Sequence, residues 1–292
     1  MTALSLAGTP AFKKESCVLG IDAAWTAHNP SGVALVQQAA SGWHCLALAP
    51  SYDAFIGLAH GQHWDPKTKV SGSRPDPEAL LQASEQLTGT SVNCIAVDMP
   101  LATTPITGRR AADTAIASRF GTRGCAVHSP SSERPGAIAD QLRGDVADLG
   151  YRLHTTTTAR PFPALIEVYP HVALLALLNR DYRVPYKVSR SLQYWKAESL
   201  APAERIERLR VEFRAIKAGL EAHISGIPEV IPERSELKTL ASLKPIEDML
   251  DALICAWMGI EHLEGRTTGM GDESAAIWIP ASLVADDASD RR

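Results

Sequence analysis

Two short apolar runs that each end in aspartate set the strongest limit on how this chain can fold. Cys17–Asp22 reads C-V-L-G-I-D, and residues 92–98 read V-N-C-I-A-V-D. Compact apolar runs of this length read as buried strands rather than helices. An ionised carboxylate at the end of a buried strand is costly unless water, a counter-ion or a metal meets it. If the two strands are parallel neighbours, both acids project at the carboxyl edge of one sheet, where open α/β sheets place their ligands. Side-chain alternation sets Asp22 on the face of Gly20 and Val18, and Asp98 on the face of Ala96 and Cys94. Small residues on that face leave room for an approaching group. Taken singly, each aspartate reads more readily as a solvated strand end or the cap of a following turn.

The flanking pattern extends the sheet. Residues 32–37 and 43–48 follow the first run at hairpin spacing, with turn chemistry at Asn29-Pro30-Ser31-Gly32 and Ser41-Gly42. Three sequential strands in an antiparallel meander are therefore expected. Residues 61–76 are polar and read as a loop, and 77–87 have helical spacing. After Pro100 the pattern becomes more helical, over 109–120, over 135–149, from near Pro202, and over 245–262 closed by Gly265. Residues 165–169 read as a strand stopped by Pro170, and 276–280 as a last strand. No internal repeat or clean linker interrupts the chain. The expectation is one α/β domain over 17–284 with a helical insertion around 180–240, preceded by an N-terminal arm (1–16) and followed by a flexible polar tail (285–292).

Composition narrows the function classes. With 29 Lys and Arg against 33 Asp and Glu, the net charge of −4 excludes wholesale coating of nucleic acid but not a local basic groove. No apolar run approaches the roughly 20 residues of a membrane-spanning helix. Lys13 and Lys14 follow a short apolar stretch, the wrong order for a secretory signal. The five cysteines, at 17, 45, 94, 125 and 255, form no C-x-x-C pair and predict reduced thiols in a cytoplasmic protein. The phosphate-binding G-x-x-x-x-G-K-[ST], the dinucleotide G-x-G-x-x-G and the nucleophile elbow G-x-S-x-G are all absent.

More acids join the two strand-end aspartates. In the helix over 245–262, Asp248 and Asp251 are three residues apart and share a face beside Leu250, Leu253, Ile254 and Trp257. Glu247 and Asp248 are also readable as first-turn complements of the helix dipole. Asp251 lies deeper in an apolar run, so it is expected nearer the strand acids than Asp248. Glu167, alone in L-I-E-V-Y, is either functional or an edge-strand charge facing water. Clustered carboxylates are the ligands of a hard cation such as Mg2+, and two such ions can clamp both reacting oxygens of a phosphodiester. His60, His63 and Asp65 read as a solvated loop. His171, after Tyr169-Pro170, is balanced between a site and a structural role.

Five stretches, V-L-G-I-D-A-A-W (18–25), I-A-V-D-M-P-L (95–101), G-R-R-A-A-D (108–113), I-E-V-Y-P-H (166–171) and E-D-M-L-D-A-L-I-C-A-W (247–257), occur in an order that resembles the domain-of-unknown-function 429 family. Its members are described as predicted nucleases of RNase H-like fold. The resemblance implies a mixed sheet, three antiparallel strands and then parallel ones, with helices on both faces. It implies that Asp22, Asp98, Asp248 and Asp251 are ligands of Mg2+ or Mn2+, with Glu167 as an additional acid. Arg109, Arg110, Asp113 and Lys187 match family positions that could meet phosphate, as His171 could, although surface ion pairs explain the charged ones equally well. The segment 180–217, with ten Lys and Arg against five Asp and Glu, could add a phosphate-binding wall or be a solvated amphipathic helix.

The expectation drawn from these readings is a magnesium-dependent nuclease acting on RNA or DNA through a two-metal carboxylate site. The alternative is a catalytically silent RNase H-like module that binds nucleic acid or protein. An ATP-using relative of the sugar kinases would need a glycine in the loop after the first strand, where Asp22-Ala23-Ala24-Trp25-Thr26 has none.

Overall fold

Three strands open the fold: β1 (Cys17–Asp22), β2 (Gly32–Ala39) and β3 (Gly42–Ala49) pair antiparallel in sequence, the expected meander. This computed structural model describes residues 16–65, 68–158, 162–237 and 239–284. Apart from Ser16, the arm expected over 1–16 lies outside the described residues, as does the tail expected over 285–292.

Helices α1 (Tyr52–Ala59) and α2 (Pro77–Thr88) lead into β4 (Cys94–Val97). Helix α2 starts because the Asp76 side chain accepts the Ala79 amide at 3.0 Å and Pro77 occupies the first turn; Gly89 ends it in the left-handed region. Helices α3 (Ala111–Phe120) and α4 (Ala137–Asp148) precede the short β5 (Arg152–Leu153) and then β6 (Ala164–Val168). The strand ends just before Pro170, as expected, and Pro170 also opens helix α5 (Pro170–Leu177), since a proline in the first turn gives up no helical hydrogen bond. The 180–240 stretch holds α6 (Ser191–Tyr194), α7 (Pro202–Glu221) and β7 (Ile224–Ser225). The last elements are α8 (Lys244–Leu263), β8 (Thr267–Gly271) and β9 (Ala276–Pro280). Elements α1, α5, β5, β7 and β8 were not expected, because each is short or lacks a clear period.

Among the described residues the strands form one sheet of order β7-β3-β2-β1-β4-β6-β9-β8, with β5 paired to β6. Strand β1 runs parallel to β4, β4 to β6, and β6 to β9, while β8 returns antiparallel to β9. The fold is the mixed RNase H-like sheet that the sequence predicts. One face, bearing Val18, Ala34, Cys94, Ala96 and Ile166, packs on α8, α7 and α5. The opposite face, bearing Leu19, Ile21, Val33, Ile95 and Val97, packs on α1, α2 and α4. Among the described residues no helix is long and apolar enough to cross a membrane.

Two glycines bring α8 unusually close to the sheet. A Cβ on Gly20 would fall 2.2 Å from the Ala252 carbonyl oxygen, and one on Gly32 would fall 2.0 Å from that of Asp248. Any side chain at either position would push the helix away. These contacts lay the first turns of α8 over the carboxyl end of β1.

Candidate functional site

The Asp98 amide donates to the Ile21 carbonyl at 2.9 Å, continuing the parallel register in which Ile21 faces Val97. Asp22 and Asp98 therefore leave adjacent strands side by side, at the bottom of a cleft of about 750 Å³. Helix α8 adds Glu247, Asp248 and Asp251, which are buried. Asp248 comes within hydrogen-bond range of Asp22, and Asp251 interacts electrostatically with both Asp22 and Asp98. The expectation that Asp251 lies nearer the strand acids than Asp248 is not met at Asp22, which Asp248 reaches because the close approach at Gly32 carries the first turn of α8 over the strand end.

Two lysines are set into this cluster. Lys187 donates to Asp251 Oδ2 and lies 3.5 Å from Glu247 Oε1. Lys244 donates to Glu247 Oε1 at 2.7 Å and to Asp248 Oδ1. The Tyr186 hydroxyl donates to Asp251 Oδ1 at 2.5 Å, and the Val188 amide to Glu247 Oε2 at 2.6 Å. Asp248 Oδ2 is buried without a hydrogen-bond partner.

Burial raises the proton affinity of most of these acids. Asp22 is pushed up to about 7 by burial, with Asp248 adding repulsion and Lys187 opposing it. Asp251 is pushed up to about 6 by burial, against the attraction of Lys187. Burial and then the Asp22 charge hold Asp98 well above the usual carboxylate range. Glu247 also feels burial, but Lys187 and Lys244 outweigh it and hold its carboxyl below the ordinary value. Two ammonium groups thus serve five carboxylates, and the cluster lacks positive charge.

A hard divalent cation fits that donor set, which is all oxygen and includes one buried oxygen with no partner. Among the described residues, however, no three His, Cys, Asp or Glu side chains already converge on a metal position.

The other expected site residues fall into two sets. Glu167 lies on β6, between β4 and β9, so it is not an edge-strand charge. Arg110 grips it with both terminal nitrogens, at 2.6 and 2.7 Å, and the Leu101 amide donates to the same carboxylate at 2.8 Å. Arg110 also bonds Asp113, which is buried and caps α3 through the Arg110 amide at 2.8 Å. These three residues form one internal clamp beside the cleft, and all three guanidinium nitrogens of Arg110 are engaged within the protein. Exposed Arg109 bonds Ser129, Thr114 and the Asp113 carbonyl.

His171 is buried, and Arg183 donates to its Nε2 at 2.5 Å, which makes that nitrogen the acceptor. Burial and then the Arg183 charge hold this imidazole well below its usual titration range, in the neutral form. Of the basic segment, Arg183, Lys187 and Arg190 line the cleft, as do Trp25 and Asn29 from the loop after β1. Arg205 and Arg210 are instead buried against the core side of α7.

Sequence reasoning missed Lys244 and Tyr186, and held Arg183 only as one of the cations of the 180–217 segment. Lys244 carried a legible signal, since it stands four residues before Asp248 on one helix face. Tyr186 carried none, because its partner Asp251 lies 65 residues away in sequence.

No curated protein and no solved structure matches this chain. A family model described as "Protein of unknown function (DUF429)" matches residues 20–276, from within β1 to the start of β9, and so takes in the whole carboxylate cluster. The chain therefore belongs to the DUF429 family.

Proposed function

We propose that this protein hydrolyses phosphodiester bonds in RNA or DNA with the help of bound Mg2+ or Mn2+. The observation that carries the reading is the shortage of positive charge among five acids: Asp22, Asp98, Glu247 and Asp248, which line a cleft that Arg183, Lys187 and Arg190 also line, and Asp251, buried beside them. Asp22, Asp98, Asp248 and Asp251 are the residues that would hold the cation. When bound, such a cation lowers the pKa of water and neutralises charge on a phosphoryl oxygen.

The chain's own residues supply the rest. Arg183 and Arg190 attract a phosphate backbone to the wall of the cleft. Neutral His171 is held by Arg183 with its other ring nitrogen bearing the proton, so it is a donor and not an acid at ordinary pH. The clamp of Arg110 on Glu167 and Asp113 anchors the loop after β4 to β6 and so supports the position of Asp98. All five cysteines are free thiols, which supports a reducing, cytoplasmic setting.

A silent RNase H-like binding module is the competing reading. It is favoured by the complete internal pairing of Asp251 and Glu247. Incubation with labelled single-stranded, duplex, hybrid and branched RNA and DNA, with Mn2+ and with EDTA, separates the two. Cleavage that EDTA abolishes and that Asp22→Asn reduces by at least about a hundredfold supports the nuclease. Binding without cleavage of any substrate supports the silent module.

A further inference from the structure

Hydrogen-bond supply divides the five carboxylates into two groups. Every oxygen of Asp251 and Glu247 already accepts from a donor within the protein: the Tyr186 hydroxyl, the Lys187 ammonium, the Val188 amide and the Lys244 ammonium. Three of these donors come from consecutive residues, 186–188, so one short segment saturates most of the pair. Tyr186 is fully buried and cannot swing out to water. The second group is Asp22, Asp98 and Asp248 Oδ2. The last is buried without a partner, and its carboxylate lies against that of Asp22. Two carboxylates in such contact need a proton or a cation between them.

We infer that the site binds one divalent cation, held by Asp22, Asp98 and Asp248, and that the Lys187 ammonium stands beside Asp251 where a two-ion site would place its second cation. The inference rests on the metal-dependent reading above and changes its stoichiometry and ligand set. In a two-ion site the ions lie about 3.5–4 Å apart and flank the reacting phosphate together. Here a second ion at Asp251 would have to displace Lys187, leaving a largely buried ammonium and the Tyr186 hydroxyl without their acceptor, a costly exchange. An ammonium suits the role because it is a compact charge with three donors. Asp251 accepts one of them and Glu247 lies 3.5 Å away as an ion-pair partner, which leaves donor capacity for a phosphate oxygen in the cleft that Lys187 lines.

Calorimetric titration of metal-free protein with Mn2+, with bound Mn2+ counted by electron paramagnetic resonance, reads this without any turnover. The expected result is one Mn2+ per wild-type chain. Asp22→Asn and Asp248→Asn should weaken binding by about a hundredfold or more, and Asp251→Asn by only about tenfold, the cost of an outer-shell group. Lys187→Met, checked for folding by its thermal melt, should admit a second Mn2+. If that variant does not fold, the wild-type count and the contrast between the aspartate variants still decide. Two ions on the wild type, or equal losses in Asp22→Asn and Asp251→Asn, overturn the inference and leave a two-ion nuclease standing. No bound Mn2+ overturns both. One ion without cleavage of any nucleic acid upholds the inference and removes the nuclease reading.

Discussion

Arg110 holds Glu167 through two parallel hydrogen bonds, at 2.6 and 2.7 Å, with both side chains almost completely buried. Such a pair contributes little relative to apolar residues of the same shape, but removing one partner strands a buried charge. Arg110→Ala is expected to lower stability by about 3–5 kcal/mol. Arg110→Met combined with Glu167→Met should recover much of that loss. Urea denaturation measures both, and an Arg110→Ala protein as stable as wild type would show that the clamp is dispensable.

The carboxylate cluster sets a pH dependence of unusual direction. In the folded, metal-free protein Asp22 titrates near 7 and Asp251 near 6, against an ordinary value of 3.8 for each. At these two sites, between about pH 4 and 7, the folded chain therefore binds more protons than the unfolded chain, so their contribution to stability falls as pH rises. The contribution is fully present below the ordinary value and gone above pH 7. Asp98 acts in the same direction; Glu247, held low, favours folding only as pH rises above its folded value, and His171, held neutral in the folded chain, opposes the three aspartates below about pH 6.5. Denaturation midpoints in EDTA should decline from pH 5 to pH 8, and Asp22→Asn should flatten the decline. A midpoint that climbs over this range in wild type contradicts the account.

Gly20 is a packing position with a functional consequence. Gly20→Ala places a methyl group against the backbone of α8 at Ala252 and Ala256. The helix must move, at a cost of about 2–3 kcal/mol. Because that helix carries Glu247, Asp248 and Asp251, Mn2+ affinity should fall together with the melting temperature. Normal Mn2+ binding in a destabilised Gly20→Ala protein would separate the helix position from the site.

Arginines of the 180–217 segment should divide by location. Arg183 and Arg190 line the cleft, so each change to alanine should weaken nucleic-acid binding and lower the salt-dependence slope by about 1 for each phosphate the guanidinium neutralises. Arg210 is buried and bonded to Glu207 and the Pro232 carbonyl, so its replacement should destabilise the fold and leave the slope unchanged. Fluorescence anisotropy across a salt series distinguishes the two behaviours.

Local pattern was enough to determine the strand meander, the two strand-end aspartates and the late helix with its acids. Apolar periodicity, turn residues and helix-start signals act over a few residues, and so they are legible without knowing what lies across the sheet. Alternation alone also placed Asp22 and Asp98 on the face that meets α8. Which acids remain open to a cation was decided only by tertiary structure. Lys187 meets Asp251 across 64 residues of sequence, and Arg110 meets Glu167 across 57. These pairings depend on segments converging at one sheet edge, and on two glycines that let α8 approach it closely. A carboxylate's chemistry is set by the groups that surround it in space, and for Glu167, Asp248 and Asp251 those groups come from elsewhere in the chain or from the next turn of the helix.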